Sequence, residues 1–487
     1  MQLLQVHRED ALAEGEVEFL DRYPTYRATH HVDALRAVEY RRFDAQGHTY
    51  LDYTGGSVYA ESQLQAHTQL LQQSIFGNPH SGNPASRAMT DIVERTRARV
   101  LEYFGANDEY VVVFTPNATG ALKLVAEAFP FECGGRYLLT ADNHNSVNGI
   151  REFARRRGAD VVYAPIEAPD LRLDARRVRE LLEEPVHGPK LFALPAQSNF
   201  SGVQHDLAWI DAAQRNGWQV LLDAAAFVPT NRLDLGRWHP DFVSLSFYKM
   251  FGYPTGIGAL IARRDAVEQL RRPWFAGGTI TFSSVCAAAD AGDGFYLSPG
   301  VARFEDGTVN YLSIPAVDIG LRWLESIGID VVHTRTMALS SWLLDSVQQL
   351  RHANGRPIVR VYGPRAMEAR GATVALNLVD PFGTVWDCWE VEALANVRKL
   401  SLRAGCHCNP GAREAALGYT HMQLAPCFKD KERLGFAEFQ QVIRDRLSGV
   451  VRVSLGLAST FGDAYRFVEF AREFIDRRAI AAAALRE

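Results

Sequence analysis

Two cysteines flank a histidine in a stretch rich in glycine and proline, where Cys406, His407 and Cys408 precede a Pro-Gly pair. Three kinds of chemistry suit these residue types: a zinc site, a redox disulfide, or a loop with one reactive thiol. Structural zinc prefers gaps of two to four residues and a second ligand pair, which this region lacks. A disulfide across one residue would be strained. The pattern favours a mobile nucleophile loop without metal, in which His407 and Arg403 would favour the thiolate.

A lysine and an aspartate stand at the ends of two apolar runs elsewhere in the chain. Lys249 follows "DFVSLSFY" and is packed among phenylalanine and methionine residues. Such a lysine is expected to be half-buried, with a lowered pKa and a nucleophilic amine. Asp223 ends "WQVLLD", where a carboxylate needs a positive partner, although a plain helix cap is an equally good role.

Three more polar features follow apolar runs. His144 comes after "RYLLTAD" and Asn199 after "LFALPAQ". The stretch "TPNATG" (115–120) follows "VVVF" and opens a helix. Free N–H groups at a helix start suit a phosphate, but asparagine and threonine also serve as ordinary helix caps.

The elements that must position these residues form an alternating pattern. Short apolar runs alternate with amphipathic stretches over residues 45–310, which predicts βαβ units and a mostly parallel, buried sheet. The predicted strands include "EYVVVFTP", "RYLLTAD", "DVVYAPI", "KLFALPA", "WQVLLDAA", "DFVSLSFY" and the start of "GIGALIARRDAVEQLRR". Ligands bind at the carboxyl ends of such strands, so the polar residues should meet there.

A different pattern follows residue 313. A long helix is predicted over 314–353, then "VALNLVD", a helix near 387–398, "LSLRAG", a helix near 434–446, "VVRVSLG" and a final helix. This mixture predicts a smaller α+β domain that carries the cysteine loop.

These residue types together suit one cofactor, pyridoxal phosphate (PLP). PLP needs a lysine for covalent attachment, an acid against its ring nitrogen, a phosphate cup and a flat group over its ring. Lys249, Asp223, the helix start at 118–120 with Ser246, and His144 could fill these roles. Their position at the ends of consecutive predicted strands is more informative than any single residue.

Composition excludes several function classes. The 487 residues are 47% hydrophobic and 22% charged, with a formal net charge of -5, which is typical of a globular protein and gives no sign of a nucleic-acid groove. No secretory signal or membrane span is expected. Six scattered cysteines favour a reducing, cytoplasmic environment over a disulfide framework.

The chain resembles the class V aminotransferase-fold enzymes of the cysteine desulfurase group, and most of all the desulfurase domain of molybdenum cofactor sulfurases. The motifs that carry the resemblance are "YLDYTGGSVY" (50–59), "NPHS" (78–81), "DNHNSVNGIRE" (142–152), "LLDAAAFVPTNRLDL" (221–235), "SFYKMFGYPTGIGAL" (246–260), "RFEDGTVN" (303–310) and "RAGCHCNPGA" (403–412).

This resemblance implies an α/β fold, the PLP-dependent transferase fold type I. It implies a segment 1–44 packed on the small domain, a large PLP-binding domain 45–312 with a mostly parallel seven-stranded sheet, and a small α+β domain 313–487. It also implies the following roles: Lys249 to attach the cofactor, Asp223 for its ring nitrogen, His144 to stack on the ring, Asn199 for the phenolate oxygen, and Ala118, Thr119, Ser246 and Tyr248 for the phosphate.

The remaining implied roles concern the substrate and a second subunit. Arg452 would clamp the substrate carboxylate, with Asn199 and Arg403 as further substrate-binding residues. Cys408, rather than Cys406, falls at the position of the persulfide-forming thiol, and on an extended loop the two thiols would face opposite ways. Thr308 would reach the phosphate of the neighbouring subunit in a homodimer.

Two departures limit what the resemblance implies. Sulfurases of higher organisms often have a further cysteine where this chain has Arg413, and they carry a C-terminal MOSC-type domain for which no room is expected here. The leading hypothesis is an L-cysteine desulfurase with a sulfur-acceptor protein or cofactor. The alternatives are a PLP-dependent C–S lyase or C–C bond-forming or decarboxylating enzyme, and a non-catalytic sulfur-carrier scaffold.

Overall fold

The strands and helices are those of a computed structural model that describes residues 2–288, 294–428, 435 and 449–479. The strands are β1 (Thr49–Tyr50), β2 (Tyr110–Thr115), β3 (Arg136–Thr140), β4 (Asp160–Ala164), β5 (Ile166–Glu167), β6 (Arg172–Leu173), β7 (Lys190–Pro195), β8 (Gln219–Asp223), β9 (Phe242–Ser246), β10 (Gly258–Arg263), β11 (Ile280–Ser283), β12 (Phe295–Leu297), β13 (Val359–Tyr362), β14 (Thr373–Leu378), β15 (Leu400–Ser401), β16 (Arg403–Gly405) and β17 (Val450–Ser454).

The α-helices come before, between and after these strands. They are α1 (Gln2–Arg22), α2 (His31–Glu39), α3 (Arg42–Ala45), α4 (Glu61–Gln73), α5 (Pro84–Tyr103), α6 (Ala118–Ala128), α7 (Asn145–Asn148), α8 (Ile150–Arg156), α9 (Ala175–Glu183), α10 (Ala208–Arg215), α11 (Phe247–Phe251), α12 (Arg264–Gln269), α13 (Val285–Ala288), α14 (Pro315–Ile327), α15 (Ile329–Gln349), α16 (Cys388–Val397), α17 (Pro410–Leu417), α18 (His421–Leu424) and α19 (Phe461–Arg472). Short 3₁₀ helices span Pro24–Thr29, Gly300–Phe304 and Ala425–Phe428.

A seven-stranded sheet forms the centre of the larger part of the chain. Its strand order is β2-β10-β9-β8-β7-β3-β4. Only β10 is antiparallel to its neighbours, β2 and β9, and the other pairs are parallel. The prediction of an α/β fold with a mostly parallel seven-stranded sheet is therefore confirmed.

Both faces of this sheet are covered, which explains why its strands are apolar throughout. In β8, Leu222 packs into a cluster with Val93 of α5, whereas its neighbour Leu221 packs into a second cluster with Val125 of α6. Because successive strand side chains point to opposite faces, a strand buried on both sides needs an unbroken apolar run. Asp223, which ends this run, pairs in register with Pro195 and Ser244.

A four-stranded antiparallel sheet, in the order β13-β14-β17-β16, forms the second core with α15, α16 and α19. The N-terminal helix packs on this part of the chain: the Phe19 ring stacks on Phe461, with centroids 4.9 Å apart. Arg36 NH1 also lies 2.7 Å from Asp463 Oδ2, in a buried ion pair. The domain boundaries at residues 44 and 312 stay predictions.

Three predicted elements differ in detail. The helix expected over 314–353 is two helices, α14 and α15, which meet at Gly328, whose φ of 90° is open to glycine but strained for other residues. "LSLRAG" contributes to two sheets, since β15 pairs with β1 and β16 pairs with β17. The helix expected near 434–446 lies outside the described residues.

Two isolated backbone bridges connect the part of the chain before residue 312 with the part after it. Asp52, just after β1, forms a bridge with Ser454 of β17, and Val203 forms one with Arg370. The bridge at Asp52 places an acidic side chain beside the basic residues of β16 and β17. Within the described ranges, no helix has the length and apolar composition needed to cross a lipid bilayer.

Candidate active site

A cavity of about 170 Å³ opens at the carboxyl ends of the large-sheet strands. Eight of the predicted site residues line it: Ala118, Thr119, His144, Asn199, Asp223, Ser246, Tyr248 and Lys249. They lie at or just beyond the carboxyl ends of five strands, β2, β3, β7, β8 and β9, which run in the same direction and so end at one edge of the sheet. Thr308, Arg403, Cys408 and Arg452 are not among the residues that line this cavity.

Lys249 lies in the short helix α11, one turn beyond the end of β9. Burial lowers the pKa of its ammonium group, and the nearby Asp223 carboxylate opposes that shift. A lowered pKa raises the share of neutral amine, which is the nucleophilic form. The helix ends at Gly252, where an added Cβ would lie 2.3 Å from the backbone nitrogen of Tyr59, so only glycine fits.

Asp223 is buried and is held by the residues after its own strand and by the neighbouring strand β9. Its Oδ1 accepts hydrogen bonds from the backbone N–H of Ala225 at 3.1 Å and from Ser244 Oγ at 3.2 Å. Both of these bonds use Oδ1. The second oxygen, Oδ2, can therefore accept a hydrogen bond from a group bound in the cavity that Asp223 lines.

His144 forms the N-cap of α7 and presents its ring to the same cavity. Its Nδ1 accepts a hydrogen bond from the backbone N–H of Ser146 at 3.1 Å. Burial lowers the pKa of the imidazole, against the opposing effect of Asp223. A neutral, flat ring therefore lies at the cavity wall near neutral pH.

The N-terminus of α6 forms the polar end of the cavity. Asn117 caps the helix by accepting from the backbone N–H of Gly120 at 3.0 Å, and Ser246 Oγ accepts from Ala118 N–H at 2.8 Å. Thr119 Oγ1 lies 2.8 Å from Ser146 Oγ. Hydroxyl groups gathered at the positive end of a helix dipole suit an anion such as a phosphate.

Arg452 and Arg403 share one carboxylate, that of Asp52. Arg452 NH2 donates to Asp52 Oδ1 at 2.9 Å, and Arg403 donates to Asp52 Oδ2 from Nε at 2.9 Å and NH2 at 2.7 Å. Burial lowers the pKa of Arg452, although Asp52 opposes the shift. Arg452 Nε is buried without a partner in the described part of the chain. The cluster carries one net positive charge and a free N–H donor, which suits a single carboxylate ligand.

Asp52 and Gln197 were not predicted from the sequence. Asp52 depends on the pairing of β1 with β15 and on the bridge to β17, which no local pattern reveals. Gln197 lines the cavity, donates from Nε2 to the Ala226 carbonyl at 3.0 Å and accepts from Gln204 Nε2 at 3.0 Å. Its place two residues before Asn199, beyond the end of β7, was the available signal.

The cysteine loop is a tight turn, not the extended segment expected. His407 and Cys408 both have left-handed backbone conformations, with φ of 55° and 53°. The expectation that alternation alone would send the two thiols to opposite faces was therefore wrong. Cys408 is exposed and Cys406 is half-buried, and neither forms a disulfide. The Cys408 carbonyl accepts from the backbone N–H of Asn145 at 2.7 Å, which ties the loop to the residue after His144.

His407 does not supply a positive charge to this loop. Its ring is buried and lies 5.6 Å from the Phe200 ring, and burial holds the pKa of the imidazole well below its usual range. The proposed role of His407 in favouring the thiolate was wrong for this reason. Arg403, the other residue expected to favour the thiolate, donates to Asp52 instead.

Comparison with known proteins places this architecture in one family. The aminotransferase class-V model matches residues 49–467. The chain belongs to the class V aminotransferase family. The molybdenum cofactor sulfurase of Solanum lycopersicum is 36% identical over 492 residues, which cover 93% of this chain but 58% of that protein. The chain thus spans somewhat more than half the length of this relative.

Solved structures share the class V fold. The apo cysteine desulfurase of Thermococcus onnurineus NA1 has a TM-score of 0.74 at 22% identity, covering 91% of this chain and 97% of that one. A second neighbour, with a TM-score of 0.66 at 18% identity over 88% of this chain and 97% of its own, contains glycine covalently linked to its PLP cofactor. The α/β fold is therefore the PLP-dependent fold type I.

Membership of the class V family indicates PLP as the cofactor, and the cavity residues fit that group. The cavity offers a buried amine with a lowered pKa, a carboxylate with a free acceptor oxygen, and a helix N-terminus lined with hydroxyl groups. These are the partners that an aldehyde, a pyridine nitrogen and a phosphate require.

Thr308 lies apart from this cavity. It is exposed, accepts from Asn78 Nδ2 at 3.2 Å, and lines a separate cavity of about 510 Å³. Its expected contact with the phosphate of a neighbouring subunit stays a prediction. Among the described residues, no group of three or more histidine, cysteine, aspartate or glutamate side chains is arranged to hold a metal ion.

Proposed function

We propose that this chain is a PLP-dependent L-cysteine desulfurase that forms a persulfide on Cys408. One observation carries the proposal: the buried lysine, the carboxylate, the imidazole and the helix N-terminus line one cavity, and the backbone of Cys408 is hydrogen-bonded to Asn145, which lies between the lining residues His144 and Ser146. The names of the sulfurase relative and the desulfurase neighbour support the same reaction.

The cofactor would be held by residues that already line the cavity. Lys249 would attach it, Asp223 would bind its ring nitrogen, His144 would stack on its ring and Asn199 would bind its phenolate oxygen. The phosphate would lie at the start of α6, beside Ala118 and bound by the hydroxyl groups of Thr119, Ser246 and Tyr248. When bound, PLP supplies an electron sink for the electrons released at the substrate α carbon.

Each polar group then has a separate task with the substrate. Arg452, with Nε free, would bind the substrate carboxylate, and Arg403 would support it through their shared partner Asp52. The Lys249 amine would take the proton from the substrate α carbon, a role that its lowered pKa favours.

The sulfur transfer itself takes place between the substrate sulfur and the Cys408 thiolate. The thiolate attacks the substrate sulfur, an S–S bond forms, and the bond between sulfur and the β carbon breaks. The electron pair of that bond stays with the β carbon, which takes up a proton. The products are L-alanine and a persulfide on Cys408, and no external oxidant or reductant is needed.

A second candidate is a PLP-dependent C–S lyase, which converts L-cysteine and water into pyruvate, ammonia and hydrogen sulfide. One observation favours it: Cys408 is exposed and is not among the residues that line the cavity. In that case Cys408 would be a bystander, and the same lysine, aspartate and histidine would carry out the elimination.

Assembly and location complete the proposal. We propose a homodimer in which Thr308 completes the phosphate site of the second subunit, consistent with its exposed position. We also propose a cytoplasmic location, which the six unpaired thiols support. The sulfur acceptor would be a protein or a cofactor, and molybdenum cofactor is one candidate because of the sulfurase relative.

The test is to incubate the PLP-loaded protein with L-cysteine and to quantify alanine, pyruvate, sulfide and the mass of the Cys408 peptide. A desulfurase gives alanine and a 32-dalton addition on Cys408, as one sulfur atom requires. Cys408→Ser should then lose both, while Cys406→Ser retains activity. Pyruvate formation that is unchanged in Cys408→Ser would reject the desulfurase in favour of the lyase.

A further inference from the structure

We propose that Asn409 is a positioning residue that docks the thiol loop, defined as residues 406–409, on the cavity wall through Asn199. The inference rests on the proposed function, because docking matters only if Cys408 receives sulfur. It concerns a side chain that neither lines the cavity nor carries a reactive group.

The Asn409 amide uses both of its ends in the protein interior. The side chain is fully buried. Nδ2 donates to Asn199 Oδ1 at 2.9 Å and to the Asp142 carbonyl at 2.6 Å. Oδ1 accepts from the backbone N–H of Ala412 at 3.1 Å and thereby caps α17. The donor end therefore faces the large domain, and the acceptor end faces the helix of its own segment.

Asn199 links the thiol loop to the residues that would bind the substrate. Its Nδ2 donates to the His407 carbonyl at 2.7 Å, while its Oδ1 accepts from Asn409. Its backbone carbonyl accepts from Arg452 NH1 at 2.9 Å, and the residue lines the cavity. The Asn199 side chain thus bonds to the residues on both sides of Cys408.

Among the described residues, the hydrogen bond that holds Cys408 runs from Asn145 N–H to its backbone carbonyl. His407 and Cys408 have left-handed conformations that are unfavourable for residues with a Cβ atom. Such a conformation persists where surrounding contacts impose it. The turn has one backbone bond of its own, from Asn409 N–H to the Cys406 carbonyl at 3.1 Å. The side-chain bonds of Asn199 and Asn409 tie this turn to the large domain, so their loss should let the turn move relative to the cavity and displace the thiol.

The rival interpretation is that Asn409 serves only as a helix cap. The two roles use different atoms, since capping needs Oδ1 and docking needs Nδ2. Asn409→Asp separates them, because aspartate caps as well as asparagine does but has no N–H donor. It also places a carboxylate against the two oxygen atoms that Nδ2 now contacts. Asn83→Asp is the matched control, since Asn83 caps α5 by accepting from Ser86 N–H at 3.0 Å.

The experiment measures three quantities in the PLP-loaded wild-type protein, Asn409→Asp and Asn83→Asp. These are the rate of persulfide formation on Cys408 with L-cysteine, the exchange of the L-alanine α proton with D2O, and the rate of Cys408 alkylation by iodoacetamide, resolved by peptide mass. We expect Asn409→Asp to lose at least tenfold in persulfide rate and to change the alkylation rate several-fold. In Asn409→Asp, the rate of α-proton exchange and the cofactor absorbance should stay within twofold of the wild-type values. Asn83→Asp should match wild type in all three measurements.

Each other outcome is decisive. Wild-type persulfide and alkylation rates in Asn409→Asp would overturn the proposal, and so would an equal loss of exchange and persulfide formation, which indicates general damage to the site. If wild type itself makes no persulfide, the proposed function fails, while the alkylation rates still show whether Asn409 docks the loop. If Asn409→Asp does not fold, Asn409→Ser, which keeps a capping oxygen and loses Nδ2, takes its place with the same criteria.

Discussion

Asp52→Asn tests whether the shared carboxylate stabilises Arg452 and Arg403, the two arginines of the proposed substrate site. The substitution keeps the shape of the side chain and one acceptor oxygen but removes its charge. In the variant, Arg452 would keep its bond to the Asn199 carbonyl but lose its anionic partner. Because Arg452 is only 2% exposed, water cannot replace that partner. The Arg403 side chain is 50% exposed, so water replaces much of what it loses.

The magnitude follows from these two burials. Removing one partner of a buried ion pair costs about 3–5 kcal/mol. The retained amide oxygen still accepts from a charged donor, a bond of about 1.5–3 kcal/mol, which reduces the loss at Arg452 to about 2 kcal/mol. A half-exposed pair such as Arg403–Asp52 adds only about 0.2–1 kcal/mol. The unfolding free energy should therefore fall by about 2–3 kcal/mol.

Denaturant unfolding of the cofactor-loaded protein measures this change. Asp330→Asn is the matched control, because Asp330 Oδ2 lies 2.8 Å from Arg232 NH2 in a pair whose side chains are 73% and 59% exposed. It should change the unfolding free energy by less than about 1 kcal/mol. If Asp52→Asn costs no more than Asp330→Asn, the reasoning that Asp52 compensates a buried guanidinium is refuted.

Three further predictions concern single residues of the site. Asp223→Asn should keep the cofactor but lower kcat by about 10²-fold, as loss of a charge-stabilising group does; steady-state kinetics with unchanged kcat would remove Asp223 from the mechanism. Arg452→Ala should raise KM for L-cysteine by about 10–100-fold, the equivalent of one charge-assisted hydrogen bond; unchanged KM would assign the carboxylate to another residue. Because the folded protein holds the pKa of His407 below that of the unfolded chain, the stability that neutral His407 contributes is fully present above the unfolded pKa of about 6.5 and is lost as pH falls below it. His407→Phe should therefore lose less stability than wild type between pH 7.5 and 5.5 in thermal unfolding, and parallel pH profiles would contradict this.

The cofactor cavity could be predicted from the sequence because its residues follow the ends of parallel strands. Asp223 ends β8 and Lys249 follows β9, so apolar runs that end in a polar residue already point to one edge of the sheet. Strand pairing then brings those ends together without further information. For these residues, the position directly after an apolar run is enough to predict that the side chain lies at the edge of the sheet where the cavity opens.

The substrate side of the site could not be predicted in the same way. Asp52 meets Arg452 across 400 residues of chain, next to a bridge from Asp52 to Ser454 of β17 that has no local signature. His407 was misread because its position between two cysteines gives no sign that its ring is buried against Phe200. Side chains that act through tertiary contacts depend on burial and pairing, which periodicity does not encode.

The exposure of Cys408 is consistent with a thiol that must serve two partners. A persulfide formed in a closed cavity would be protected from water but also from an acceptor. An exposed thiol whose backbone is bonded to Asn145, next to the cavity residue His144, could receive sulfur from a substrate and afterwards meet an acceptor. The lyase alternative needs no such placement, because its sulfide leaves by diffusion. The hydrogen bonds that hold residues 407–409 to the cavity wall therefore favour the desulfurase over the lyase, even though the thiol itself does not line the cavity.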